Sequence, residues 1–105
     1  MKLTDKEIEI MTVLWGSKTP LTAAEIIDAA GNCTWKEGSI YVIMKSLIKK
    51  GAAYLAARKP TASKNAMAYA AAISSEEYTV AYIKKTGIEI DVNALIEQLL
   101  ELEEN

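Results

Sequence analysis

The sequence predicts a mainly α-helical protein with one small β-hairpin set before its last helices. Three observations carry that prediction. One helix-start spacing occurs twice between Leu3 and Gly31. A stripe of apolar residues from Ile40 to Ile48 has helical period and is closed by Gly51. A run of period two, from Ala66 to Ile73, follows a polar, turn-rich segment.

Leu3-Thr4-Asp5-Lys6-Glu7-Ile8 and Leu21-Thr22-Ala23-Ala24-Glu25-Ile26 share one pattern. A threonine N-cap is followed three residues on by glutamate, so that each side chain accepts the other residue's backbone N–H. Leucine and isoleucine flank this capping box where a hydrophobic staple sits. The first helix presents Ile8, Met11, Leu14 and Trp15 on one face and stops at Gly16. The second presents Ile26, Ile27 and Ala30 and stops at Gly31. Pro20 favours extended chain just ahead of the second helix.

A third helix is predicted from about Glu37 to Lys50, with Ile40, Ile43, Met44, Leu47 and Ile48 facing the core. Lys49 and Lys50 suit the negative end of its dipole. Thr34 and Glu37 have capping-box spacing, but Gly38 stands where the staple residue belongs. Residues 53–57 and 66–73 read as strands, although their alanines favour helix. In the second, Met67, Tyr69, Ala71 and Ile73 alternate with alanine. The intervening Arg58-Lys59-Pro60-Thr61-Ala62-Ser63-Lys64-Asn65 is turn-rich, which makes a hairpin with a basic tip. Ser74 and Glu77 cap a fourth helix carrying Tyr78, Ala81 and Tyr82, closed by Gly87. Asp91 caps the last, with Val92, Leu95, Ile96, Leu99, Leu100 and Leu102. These leucines exceed what a terminal helix of a small domain buries in its own chain.

Three short helices followed by a two-stranded hairpin is the winged form of helix-turn-helix, in which the third helix enters the major groove. Residues 1–73 are expected to form that domain and 74–105 a helical dimerisation region. At 105 residues, 50% hydrophobic and 25% charged, the chain is an ordinary globular protein of one domain with a short appendage. Its longest apolar run, Ala66 to Ile73, is far short of the ~18 residues of a membrane span. The opening Met1-Lys2-Leu3-Thr4-Asp5 turns polar at once, unlike a signal peptide, so the expectation is a cytoplasmic protein without a membrane partner.

Histidine is absent and Cys33 is the only cysteine. A Cys/His zinc site within one chain and a Ser-His-Asp or Cys-His catalytic arrangement are thereby excluded. Adjacent acids such as Glu76-Glu77 diverge on a helix. Neither an enzyme nor a cofactor is expected. Cys33 reads as a small buried apolar residue rather than a redox sensor.

The formal charge of −2 hides a strong asymmetry. Residues 36–64 carry Lys36, Lys45, Lys49, Lys50, Arg58, Lys59 and Lys64 against Glu37 alone, while residues 65–105 carry two lysines against eight acids. A local cationic field of this kind steers polyanions. On a helical wheel Gly38, Val42, Lys45, Ser46 and Lys49 lie opposite the buried stripe, flanked by Ser39 and Tyr41. Hydroxyls there can donate and accept, lysines can reach phosphates, and Val42 can meet a thymine methyl. Arg58, Lys59 and Lys64 on the hairpin would follow the backbone or enter the minor groove. Arg58 is the chain's only arginine, so bidentate reading of guanine by arginine has one candidate. Lys36, at the approach to the third helix, joins this candidate set.

The run Leu3-Thr4-Asp5-Lys6-Glu7-Ile8-Glu9-Ile10-Met11 with Leu14-Trp15 resembles the opening of the penicillinase-repressor (BlaI/MecI-type) transcriptional regulators. So do Thr34-Trp35, Ser39-Ile40, Leu47-Ile48-Lys49-Lys50-Gly51-Ala52, Ala68-Tyr69 and Ile73-Ser74-Ser75-Glu76-Glu77-Tyr78. The resemblance implies a homodimeric winged-helix repressor on a two-fold double-stranded DNA operator, joined through its C-terminal helices. Family DNA-contacting positions map to Gly38, Ser39, Tyr41, Val42 and Lys45 and to the loop from Arg58 to Lys64. An inducer or upstream sensor is a further partner class. The family commonly has a basic residue at Gly38 and arginine at Ser46, a departure that implies a different operator sequence or affinity. The paired C-terminal cysteines of copper-responsive relatives are absent.

Tyr78, Tyr82, Val92, Leu95, Ile96, Leu99 and Leu102 are the expected dimer contacts, the last helix supplying the seam. The competing reading is a winged-helix module that binds protein and never DNA, in keeping with the acidic total.

Overall fold

Most helices begin where a side chain settles backbone N–H groups that the helix itself leaves unpaired. The computed structural model describes residues 1–31, 35, 37–62 and 64–104. Helix α1 spans Asp5–Trp15; Thr4 Oγ1 accepts from the Glu7 N–H at 3.2 Å and Glu7 Oε1 from the Thr4 N–H at 2.8 Å. Helix α2, Ala23–Ala30, repeats the box with Thr22 and Glu25 at 3.2 and 2.9 Å. Helix α4, Ser75–Thr86, has it with Ser74 and Glu77. Asp91 Oδ1 accepts from the N–H groups of Asn93 and Ala94 and so caps α5, Val92–Glu104. All four caps lie where the spacing puts them.

Helix α3, Ile40–Lys50, starts differently. A 3₁₀ turn over Glu37–Ser39 precedes it, and Ser39 sits in right-handed helical geometry without a side-chain cap. The regular helix therefore begins three residues later than expected. Cys33, Thr34 and Lys36 lie outside the described residues. At the other end Gly51 adopts φ 82°, which costs glycine nothing and other residues strain. Its N–H and that of Ala52 donate to the carbonyls of Ile48 and Leu47, both at 3.0 Å. The chain thereby turns from α3 directly into the sheet.

That sheet has three antiparallel strands in the order β1-β3-β2, where β1 is Leu21–Thr22, β2 is Ala53–Pro60 and β3 is Asn65–Ala71. The β2–β3 hairpin was expected, but not its ends. Register pairs Arg58 with Met67, Lys59 with Ala66 and Pro60 with Asn65, so Arg58 and Lys59 belong to a strand rather than to the tip. Ala72 and Ile73, expected as strand, lie beyond it. The extra residue Ala56, between Leu55 and Ala57, bulges the hairpin. Strand β1 adds to the expected hairpin: the extended chain after Pro20 pairs Leu21 with Tyr69 and Thr22 with Ala68.

The core lies where α1, α2 and α3 meet the base of the sheet. Ile10, Met11, Ile26, Ile40, Met44 and Leu47 are its fully buried large side chains, with Trp35 and Tyr69 beside them. Two helix faces depart from expectation, those of α1 and α3. Ile10 is buried while Ile8 and Trp15 are half-covered, and Ile48, expected inside, is 41% exposed. The buried stripe of α3 is thus the narrower Ile40–Met44–Leu47 row, with Ile43 at its margin.

Aromatic contacts join helix α4 to the end of α1. Trp15 Nε1 donates to the Ile73 carbonyl at 2.8 Å, and its ring lies 6.0 Å from Tyr78, which lies 6.3 Å from Tyr82. No described residue of α4 or α5 is fully buried. The radius of gyration is 15.8 Å, against about 13 Å for a compact chain of this length. Among the described residues, no helix is long and apolar enough to cross a membrane.

Truncating Leu47 to alanine should remove about 2–5 kcal/mol of stability, because α3 cannot collapse into the space left. Val42→Ala, one turn away on the outer face, should change it by about 0.5 kcal/mol or less. Urea denaturation of the two variants checks the rotational setting of the helix.

Candidate nucleic-acid interface

Burial of Ile40, Met44 and Leu47 turns the opposite side of α3 outward. Val42 is 72% exposed and Tyr41 57%, a state that no core packing requires. Gly38, Lys45 and Lys49 are exposed on the same side. A Cβ built on Gly38 would meet nothing within 4 Å, so this end of the face is open. Ser39 is half-buried.

The hairpin stands beside this face. Arg58 and Lys64 line one open groove together with Tyr41 of α3, Thr22 through Ala24 at the start of α2, and Asn65 through Met67. Tyr69 also lines it; burial pushes its hydroxyl pKa up, and the nearby Tyr41 hydroxyl adds to the shift. The tip is closed by Thr61, whose N–H and hydroxyl both donate to the Lys64 carbonyl while its oxygen accepts from the Lys64 N–H. Thr61 therefore fixes where Lys64 stands. Among the described residues, Lys45, Lys49, Arg58 and Lys64 form no ion pair. The structure thus brings Tyr41, Arg58 and Lys64 to one groove, with Val42, Lys45 and Lys49 on the adjoining helix face.

Two expected members are engaged elsewhere. Ser46 is half-buried, and its hydroxyl donates to Glu7 Oε2 at 2.9 Å. Lys59 is paired with Glu25 Oε1 at 3.1 Å. Lys36 lies outside the described residues. Of the expected dimer contacts, Tyr78 is half-buried against Trp15, and Leu95 is half-buried. Tyr82, Val92, Ile96, Leu99 and Leu102 are exposed.

Glu7 is the residue that sequence reasoning missed. It is 3% exposed. Its carboxylate closes the α1 capping box, accepts from Ser46 and forms an ion pair with Lys50. One acid on α1 therefore grips two successive turns of α3. Burial pushes its pKa up, but hydrogen bonds from Lys50, the Thr4 N–H and Ser46, with the Lys50 charge, hold it below the ordinary value. The sequence showed only its capping role, since its partners are some forty residues away.

A protein-family model described as penicillinase repressor matches residues 3–103. No curated protein matches the chain.

Above the ordinary glutamate value of 4.5, Glu7 is charged in folded and unfolded chains, and its contribution to stability is fully present. As pH falls below that value the unfolded chain binds the proton first, and the contribution is lost as pH passes through the lower folded value. Glu7→Gln keeps the cap but loses the charge, so it should lower stability at pH 7 by about 1–3 kcal/mol. Its stability should also fall less steeply in acid than that of the parent. Chemical denaturation between pH 7 and pH 3 reads both effects.

Proposed function

The chain belongs to the penicillinase repressor family, a family of DNA-binding transcriptional repressors rather than enzymes, and from that premise we propose how it engages a two-fold operator as a homodimer. Residues 1–73 act as the winged-helix reading unit and 74–105 as the assembling unit. Helix α3 lies in the major groove and the β2–β3 hairpin follows the neighbouring backbone. The observation that carries this reading is the single open surface made by Tyr41, Val42, Lys45, Lys49, Arg58 and Lys64.

The roles follow from chemistry. Tyr41 and Val42 meet base edges, the valine against a thymine methyl. Lys45, Lys49 and Lys64, with Lys36, neutralise phosphates. Gly38 and Ser39 let the first turn come close to the duplex. Arg58 is the one side chain with a planar fork of donors. The exposed row Val92, Ile96, Leu99 and Leu102, with Leu95 and Tyr82, meets its counterpart in a second copy, which supplies the burial that α5 does not find in its own chain. The acidic half of the molecule then lies at the assembly end, away from the duplex. An inducer or upstream sensor would act on this assembly.

Duplexes selected from a random pool and titrated at two salt concentrations test the reading. Wild-type binding should weaken steeply with salt, and Lys45→Ala or Lys49→Ala should each flatten the log–log slope by about 0.9, the share of one phosphate. Absence of binding at low salt would favour a protein-interaction module instead. Light scattering should show a dimer at micromolar concentration that Leu99→Asp converts to monomer; a wild-type monomer would remove the dimer from the proposal.

A further inference from the structure

The groove between α2, α3 and the hairpin holds Arg58 and Lys64 and no acid among its described lining residues. One carboxylate nevertheless stands at its rim. Glu25 follows Ala24, which lines the groove, and its Oε1 accepts from the N–H of Thr22, another lining residue, at 2.9 Å. The same oxygen takes Lys59 Nζ at 3.1 Å. The Thr22 N–H and the Lys59 ammonium hold the Glu25 carboxyl below its ordinary value, so it is ionised at neutral pH. Both partners are solvent-accessible, with side chains 34% and 45% exposed. An exposed pair of this kind adds little to stability. The cap itself does not need the charge, since glutamine also completes a capping box.

We propose that Glu25 restrains DNA affinity: it withholds Lys59 from the phosphate backbone and sets its own negative charge beside the path of that backbone. This inference rests on the DNA-binding reading above and assigns its regulation to a residue outside the basic segment. A phosphate seated in the groove meets Arg58 and Lys64 freely but reaches Lys59 only by displacing an internal carboxylate. Lys59 therefore counts in the charge of the sequence but not in the charge the duplex feels. The consequence is a weaker, more readily released complex than the composition of the hairpin implies.

Glu25→Gln preserves the α2 cap and discharges the restraint. Its thermal melting should stay within a few degrees of the parent, as expected for loss of an exposed pair. It should bind a selected duplex about threefold or more tighter at moderate salt, with a log–log salt slope steeper by about 0.9, the mark of one added phosphate contact. Adding Lys59→Met to Glu25→Gln should return the slope to the wild-type value. Asp28→Asn, one turn further along α2, removes an acid with no hold on Lys59 and should leave the slope unchanged. Weaker or unchanged binding by Glu25→Gln would overturn the proposal, and tighter binding with an unchanged slope would overturn the withholding of Lys59. Salt-dependent wild-type binding together with an unresponsive Glu25→Gln sinks the role of Glu25 alone. A wild type that binds no duplex at low salt sinks the DNA reading and this inference with it.

Discussion

The rotation of α3 about its own axis is the constraint on which the rest depends. Ile40, Met44 and Leu47 are spaced i, i+4, i+7 and are all but inaccessible to water. Turning the helix by one residue would expose that row and drive Tyr41 or Lys45 into the core, at the cost of unpaired polar groups or charge in a dry interior. The outward face is thus a by-product of the inward one. Gly51 then passes the chain without a linker into Ala52 and Ala53, both buried, so the hairpin is placed by the same packing. Glu7 adds a polar lock at the C-terminal half of α3 through Ser46 and Lys50.

The two ion pairs among the described residues share a design. In each, the acid is the third residue of a helix and already closes a capping box, and the base comes from the cationic segment. Lys50 and Lys59 are drawn inward by glutamates that a count of charge by segment assigns elsewhere. Lys45, Lys49, Arg58 and Lys64 remain open to solvent. The field at the proposed interface is therefore set by how the helices are capped as well as by how many lysines the segment carries.

Features governed by near neighbours were legible in the sequence. All four helix caps and the four glycine stops at Gly16, Gly31, Gly51 and Gly87 stand where the spacing puts them, because a cap is a contract among residues three apart. The hairpin was legible as a change of period, but its ends were not, since the ladder from Arg58 to Pro60 depends on partners across the turn. Strand β1 was hidden because two residues have no period. Ile48 misled because an apolar residue at stripe spacing can sit at the edge of a narrower contact. Of the candidate site, the helix face was readable from the wheel. The partners of Glu7 and Glu25 were not, because each lies thirty or more residues from its lysine.

The order β1-β3-β2 leaves β2 on the rim of the sheet over Ala53–Pro60, with a row of backbone groups able to template a foreign strand. Tyr54 and Leu55 are exposed there and make that stretch adhesive. Immediately beyond them the bulge at Ala56 bends the strand, and Arg58, Lys59 and Pro60 follow in succession. A bulge, cations and a proline are what blunt a rim against self-association. The outer half of β2 thus guards the chain against aggregation as it is synthesised and concentrated, and replacing its cations with neutral residues would compromise solubility whatever the effect on any ligand.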